Sequence, residues 1–313
     1  MLDGAHTAGV RDALVPIEAR PATRAELETV HPPGYLDALE GFCLHGGGHL
    51  DADTTACEAS WSAALRAAGA GLDAAERLRN GEGDAAFVVV RPPGHHAVQR
   101  RAMGFCLVNN VAVMAATLAE AGERVMIVDY DAHHGNGTQE IFWDDPRVTY
   151  VSLHEWPQYP GTGARSDVGA GPARGKTVNI PVPSGTTGDR YLQAFDEIVV
   201  PLAERVKPTW LIVSAGYDGH VADPLCDLAL SAGDYGEMTS RLTRLVPTGR
   251  LIAVLEGGYD LDALTNCAGA TVAALAGAGT GACRPEPLTS GGAGRAEVEL
   301  ASRMHASSQL AAS

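Results

Sequence analysis

Histidines and carboxylates in this chain gather into a few short clusters whose types suit metal chemistry. Asp131-x-His133 offers one carboxylate oxygen and one imidazole nitrogen on the same side of an extended segment. Asp218, far along the chain, can supply a third ligand. Three N/O ligands with an open position describe a catalytic site for zinc or a similar divalent ion, not a closed structural one. His95 and His96 are adjacent, so both reach one side only if the backbone kinks. Arg91-Pro92-Pro93-Gly94 provides such a rigid, non-helical approach. A histidine beside a metal can take a proton from water and later give it to a leaving group. Tyr259 follows Gly257 and Gly258, which let the chain turn sharply and bring a phenol O–H to a developing oxyanion.

These residues need a scaffold, and the apolar runs supply one. Ala86–Val90, Arg124–Tyr130, Val148–Leu153, Thr209–Ala215 and Arg250–Glu256 are short and rich in β-branched residues. Runs of this kind belong in a parallel sheet covered on both faces. Helical periodicity fills the intervals at 56–79, 108–121, 189–206, 234–247 and 260–277. Val111, Ala115, Leu118 and Ala119, for example, form one apolar stripe. The alternation predicts right-handed βαβ crossovers in an α/β fold with helices on both faces. Each chemical cluster sits just past the C-terminal end of one strand, where ligand sites of open α/β sheets lie. With the loop after 148–153, which carries His154 and Tyr159, five loops therefore converge on one site. No composition shift interrupts residues 1–280, read as a single domain. Residues 281–313 form a Gly/Pro-rich segment and a helix candidate at 296–312.

Composition narrows the partners. Carboxylates outnumber Lys plus Arg by 38 to 23, a formal charge of −15, which argues against tracking a nucleic-acid backbone and leaves room for cationic partners. No run of 18 apolar residues predicts a membrane span, and residues 1–30 carry no signal-peptide pattern. The cysteines at 43, 57, 106, 226, 267 and 283 lack a C-x-x-C and read as reduced core thiols. A cytoplasmic location follows as an expectation.

In order along the chain stand RPPGHHA at 91–97, MGFC at 103–106, DYDAHHGNGTQ at 129–139 and VSLH at 151–154. YPGTG at 159–163, AGYD at 215–218 and LEGGY at 255–259 complete the series. Together, over about residues 30–280, they resemble the histone deacetylase family, in its bacterial, class II-like and acetylpolyamine amidohydrolase branch. The resemblance implies a three-layer arginase/deacetylase fold with a mainly parallel sheet. It implies a zinc-dependent amidohydrolase that removes acetyl or other short acyl groups by way of a metal-activated water. Asp131, His133 and Asp218 would hold one zinc ion. His96 would be the general base and acid, with His95 beside it; Asp129 would orient His95 and Asn136 would orient His96. Tyr259 would bind the scissile carbonyl oxygen. Gly104, Phe105, Tyr159 and Leu225 would line the substrate channel. A structural potassium ion would sit among Asp129, Asp131, His133, Ser152 and Leu153.

Arginases and agmatinases share the fold, but their second metal needs carboxylates where this chain has Gly135 and His220. Matched by motif, the family's N-terminal strand is expected to be missing, through either a start assigned too far downstream or a true absence, and the exposed sheet edge would favour a homo-oligomer. Leu225 resembles the apolar rim residue of protein deacetylases and favours acyl-lysine peptides. Asp51 and Asp53, in the loop at 43–56, point instead to an acylated polyamine or another small acylated amine. A non-catalytic acyl-lysine binding module is the reading from a different class.

Overall fold

The computed structural model describes residues 1–278 and 286–310, the last four by backbone alone. Its centre is a six-stranded, wholly parallel sheet of β3 (Ala86–Val88), β4 (Val125–Asp129), β5 (Val148–Glu155), β6 (Thr177–Val182), β7 (Trp210–Ala215) and β8 (Leu251–Leu255). The order across the sheet is β3-β8-β7-β4-β5-β6. A small antiparallel hairpin, β1 (Gly48–His49) with β2 (Thr55–Ala56), stands apart. Five strands fall where the apolar runs place them, within a few residues at each end. β6 carries no such run: its sequence TVNIPV is interrupted by Asn179 and Pro181. It is an edge strand, where a missing backbone N–H is tolerated.

Alternate residues of the central strands enter opposite cores. Ile127, Ile212 and Ile252 pack with α3 (Pro33–Leu44), α4 (Ser60–Arg79) and α5 (Asn110–Glu120), joined by Leu27 of the short α2 (Arg24–Leu27); α1 (Leu2–Thr7) precedes these in the chain. Met126, Val128, Leu211 and Val213 face the other layer. That layer holds α7 (Gly188–Ala194), α8 (Val200–Val206), α9 (Ala232–Leu242), α10 (Leu261–Leu275) and α11 (Arg295–Leu310); the short α6 (Asn136–Ile141) follows β4. Burying each such side chain contributes about 1.5–3 kcal/mol, which explains runs apolar on both faces instead of alternating. The result is a three-layer α/β fold.

Polar side chains begin two of the helices that follow the strands. Asn109 caps α5 by accepting from Ala112 N at 2.9 Å, and Asp260 caps α10 by accepting from Ala263 N at 2.8 Å. The predicted helix at 189–206 is continuous but contains a π-helical turn at Phe195–Val199. Pro201 follows one residue later; a wider turn accommodates the backbone bond that proline cannot donate.

The N-terminal element is α1, packed on α10, and β3 pairs with β8 alone among the described residues. The boundary at 280 falls outside the described residues. Past it, Glu286, Thr289 and Ala293 bond back to the body, and Val298 and Ala301 of α11 join the same core as α7 to α9. One cysteine departs from expectation. Cys43, Cys106, Cys226 and Cys267 are buried free thiols, but Cys57 is exposed, because it sits between the hairpin and α4 at the surface. Cys283 lies outside the described residues. No helix among the described residues is long and apolar enough to cross a membrane.

Candidate active site

The strand ends open onto a cavity of about 200 Å³. Its floor comes from β4 and β7. Asp131 Oδ1 lies 3.3 Å from His133 Nδ1, and Asp218 Oδ2 lies 2.8 Å from the same nitrogen. Both carboxylates are fully buried. Their remaining oxygens are already engaged: Gly257 N donates to Asp131 Oδ2 at 2.7 Å and Ala132 N to Asp218 Oδ1 at 2.9 Å. Two buried carboxylates and one imidazole thus converge, their facing donor atoms bonded to one another and Asp131 Oδ1 also accepting from His133 N at 2.9 Å, where a cation could take the place of the shared proton. Without one, burial would penalise the charges. Burial opposes ionisation of Asp131, yet the neighbouring His95 and His133 hold it well below the usual carboxylate range. Burial and the Asp131 charge push Asp218 up to about 6.

Cys226 completes a second grouping, its Sγ with His133 and Asp218 inside a 4.8 Å cluster. The sulfur is 3.4 Å from His133 Nε2 and 3.9 Å from Nδ1. It therefore faces the ring nitrogen turned away from the carboxylates, the place of a supporting partner. Burial pushes this thiol up to about 12.

Above the floor, the turn after β3 stacks His95 and His96 with ring centroids 4.1 Å apart. His95 Nδ1 meets Asp129 Oδ2 at 3.1 Å, and Tyr150 donates its hydroxyl to the same oxygen at 3.0 Å. His96 Nδ1 meets Asn136 Oδ1 at 2.8 Å. An amide oxygen only accepts, so Nδ1 carries the proton and Nε2 is left basic. Burial, reinforced by the charge on His95, holds His96 well below 6.5 and neutral. His95 differs: burial lowers it, but Asp131, Asp129 and Glu256 outweigh burial and raise it to about 10.

Tyr259 stands at the opposite wall, its ring 5.9 Å from that of Phe105 in an edge contact. Burial, with Asp131 and Asp218 nearby, raises its phenol well above 10. It keeps its proton and can donate. Tyr159 meets His96 edge-on at 5.1 Å. Phe105 and Leu225 are 41% and 43% exposed and form the mouth with Asp53. Gly104 has φ +56°, and a Cβ there would fall 2.4 Å from His96 Cδ2. Every residue anticipated for catalysis, metal and channel is therefore at this cavity or directly behind it. Ser152 is the register partner of Asp129, with Leu153 next along β5.

Sequence reasoning missed the supports. Glu256 accepts from Gly94 N at 2.7 Å and His95 N at 3.1 Å, holding the histidine turn to β8. Burial pushes its carboxyl up to about 7. Its only sequence signal is an acid at the end of an apolar run. Thr54 Oγ1 accepts from Phe105 N at 3.1 Å, so the hairpin holds the channel wall. Asp51 is not at the mouth chemistry: its Oδ1 accepts from Thr54 N at 2.7 Å and turns the hairpin.

Comparisons with known proteins agree with this geometry. Residues 1–275 match the histone deacetylase domain. The chain is 42% identical over 271 residues to a probable deacetylase of Archaeoglobus fulgidus, covering 85% of this chain and 75% of that protein. It is 42% identical over 277 residues to histone deacetylase 15 of Arabidopsis thaliana, covering 87% of this chain but only 50% of that one. It is 36% identical over 265 residues to the histone deacetylase-like amidohydrolase of Pseudomonas aeruginosa, covering 83% of this chain and 70% of that one. The crystal structure of the HDA15 HD domain superposes with a TM-score of 0.88 at 38% identity, covering 97% of this chain and 85% of that one. The chain belongs to the histone deacetylase family and is a hydrolase of the deacetylase kind.

Proposed function

We propose that this protein is a zinc-dependent amidohydrolase that removes acetyl or other short acyl groups from acylated amines, acyl-lysine side chains first among them. The observation that carries the reading is the floor. Two buried carboxylates and an imidazole bring three donor atoms together around one point, beside a neutral histidine and a protonated phenol. Asp131, His133 and Asp218 would hold the ion, and their oxygen and nitrogen donors suit zinc. A bound divalent ion would polarise the acyl carbonyl and bring the attacking water's pKa toward neutrality.

The chain's own residues do the remaining work. His96 Nε2 takes the proton from water as it attacks the carbonyl carbon, with Asn136 holding the opposite nitrogen. Tyr259 donates its hydroxyl to the carbonyl oxygen as negative charge develops there. His96 then returns the proton to the departing amine, releasing acetate or a related carboxylate. His95, raised by Asp131, Asp129 and Glu256, keeps positive charge beside His96 and disfavours a second one there.

One ion per chain is the stoichiometry we infer. A Cβ at Gly135 would fall 2.3 Å from Asp129 Oδ2, so that position has no room for a bridging side chain. His220 turns away to Glu286 at 2.8 Å. Potassium is our assignment for the carbonyls around Asp129, Asp131, His133, Ser152 and Leu153, testable by metal analysis. The apolar Leu225 favours acyl-lysine peptide. A second reading, an acylated polyamine or small amine, is favoured by the exposed Asp53 carboxylate at the mouth. Acetate release from acetyl-lysine peptide and from N-acetylputrescine, each with and without chelator, decides between them. Turnover of the peptide at least about tenfold better, a difference of about 1.4 kcal/mol, supports the first reading, and the reverse supports the second. Absence of chelator-sensitive hydrolysis of either would favour a binding module.

A further inference from the structure

Tyr259 directly follows two glycines, so something outside the turn must hold it. Arg91 donates to the carbonyl oxygens of Glu256 and, at 2.9 Å, Gly258. The other side of the turn is held by Asp223, a residue from the loop between Asp218 and Leu225. Asp223 Oδ2 accepts from Tyr259 N at 2.7 Å and from Asp260 N at 3.2 Å. Its Oδ1 accepts from Leu225 N at 3.1 Å. The residue is only 6% exposed, and its bonds run to backbone N–H groups of two different loops. Charge-assisted bonds of this kind are about twice as strong as neutral ones. Asp260 also caps α10, so the carboxylate lies where the helix dipole favours negative charge.

We propose that Asp223 is a positioning residue for the reaction: one buried carboxylate ties the turn carrying Tyr259 to the loop carrying Leu225. The phenol is thereby fixed over the floor, and the mouth and the oxyanion donor move together. This rests on the reading of Tyr259 as the carbonyl-binding phenol. Asp223 touches neither substrate nor ion; it acts through the tyrosine.

The test uses the full chain loaded with zinc. Asp223→Ala is expected to lower kcat on acetyl-lysine peptide by about 30-fold with KM changed less than about threefold, within the roughly 10²-fold that a 1 Å displacement can cost. Asp223→Asn keeps one acceptor oxygen for Tyr259 N and is expected to recover most of that loss. In a Tyr259→Phe background, Asp223→Ala should cost less than about threefold, because the group it positions is already gone. A general loss of folded protein would instead lower both backgrounds equally. Hydrogen exchange gives a readout that needs no turnover: amides in 256–261 should exchange at least about tenfold faster in Asp223→Ala. Wild-type kcat in Asp223→Ala, equal losses in both backgrounds, or unchanged exchange at 256–261 would each overturn the proposal. A wild-type chain that hydrolyses no acylated amine would sink the deacylase reading but leave the exchange result to decide on Asp223.

Discussion

At the floor of the cavity both carboxylates are held by backbone N–H groups, each has an oxygen turned toward His133, and both residues are fully buried. At the mouth, Phe105 and Leu225 stand more than two-fifths exposed, and Asp53 is exposed beside them. The floor hangs from the ends of β4, β7 and β8, while the mouth hangs from the β1–β2 hairpin and long loops. The contrast separates two jobs. Rigid strand ends fix the chemistry, which tolerates little displacement, and loops set what enters. Changes at the floor should therefore abolish turnover, whereas changes at the mouth should redistribute it among substrates.

The largest effect is expected at Asp131. Asp131→Asn removes one charge from the donor set and should cut both bound zinc and kcat by at least about 10³-fold; metal content and turnover measured on one preparation check it. Tyr259→Phe leaves the donor set intact, so zinc should stay bound while kcat falls about 10²-fold, the size of one lost oxyanion donor. Near-normal turnover there would remove the phenol from the account. At the mouth, Asp53→Asn should lower kcat/KM for N-acetylputrescine up to about tenfold at low salt and lose that effect at high salt. An equal change on an uncharged acylated amine would show that the carboxylate does not act through charge.

An effect on stability, with none expected on turnover, concerns the buttress behind the histidine turn. His31 is fully buried, with Nδ1 3.0 Å from Gln99 O and Nε2 accepting from Asn109 N at 3.0 Å. Burial lowers it from 6.5 to about 4. Between these values the unfolded chain binds a proton that the folded chain does not. Stability from this residue is therefore full above about 6.5 and falls as pH drops toward 4. Between pH 7 and 5 the wild type should lose about 2 kcal/mol more than His31→Gln, as judged by denaturant unfolding. Parallel losses would acquit His31.

The same contrast explains what could be read in the sequence. The floor was legible because chemistry-bearing residues stand directly after apolar runs: Asp131 after β4, Asp218 after β7, Tyr259 after β8. Parallel strands bring such positions together whatever the loops do. The mouth and the supports were not legible, since their partners are distant in sequence and ordinary in type. Thr54 holding Phe105, Asp223 holding Tyr259 and Glu286 holding His220 follow no periodicity. β6 escaped because an edge strand with Asn179 and Pro181 lacks the apolar run that marks its neighbours. Asp51 and Asp53 looked alike in sequence, yet only Asp53 reaches the cavity, a difference made by one turn of the hairpin.

The central claim, that the floor holds one hydrolytic zinc ion, is tested most directly by metal removal and return. Chelator-stripped protein should release no acetate from acetyl-lysine peptide, and added zinc should restore release with an end point at one equivalent per chain. Hydrolysis that survives stripping, or none at all with the donor set filled, would contradict it.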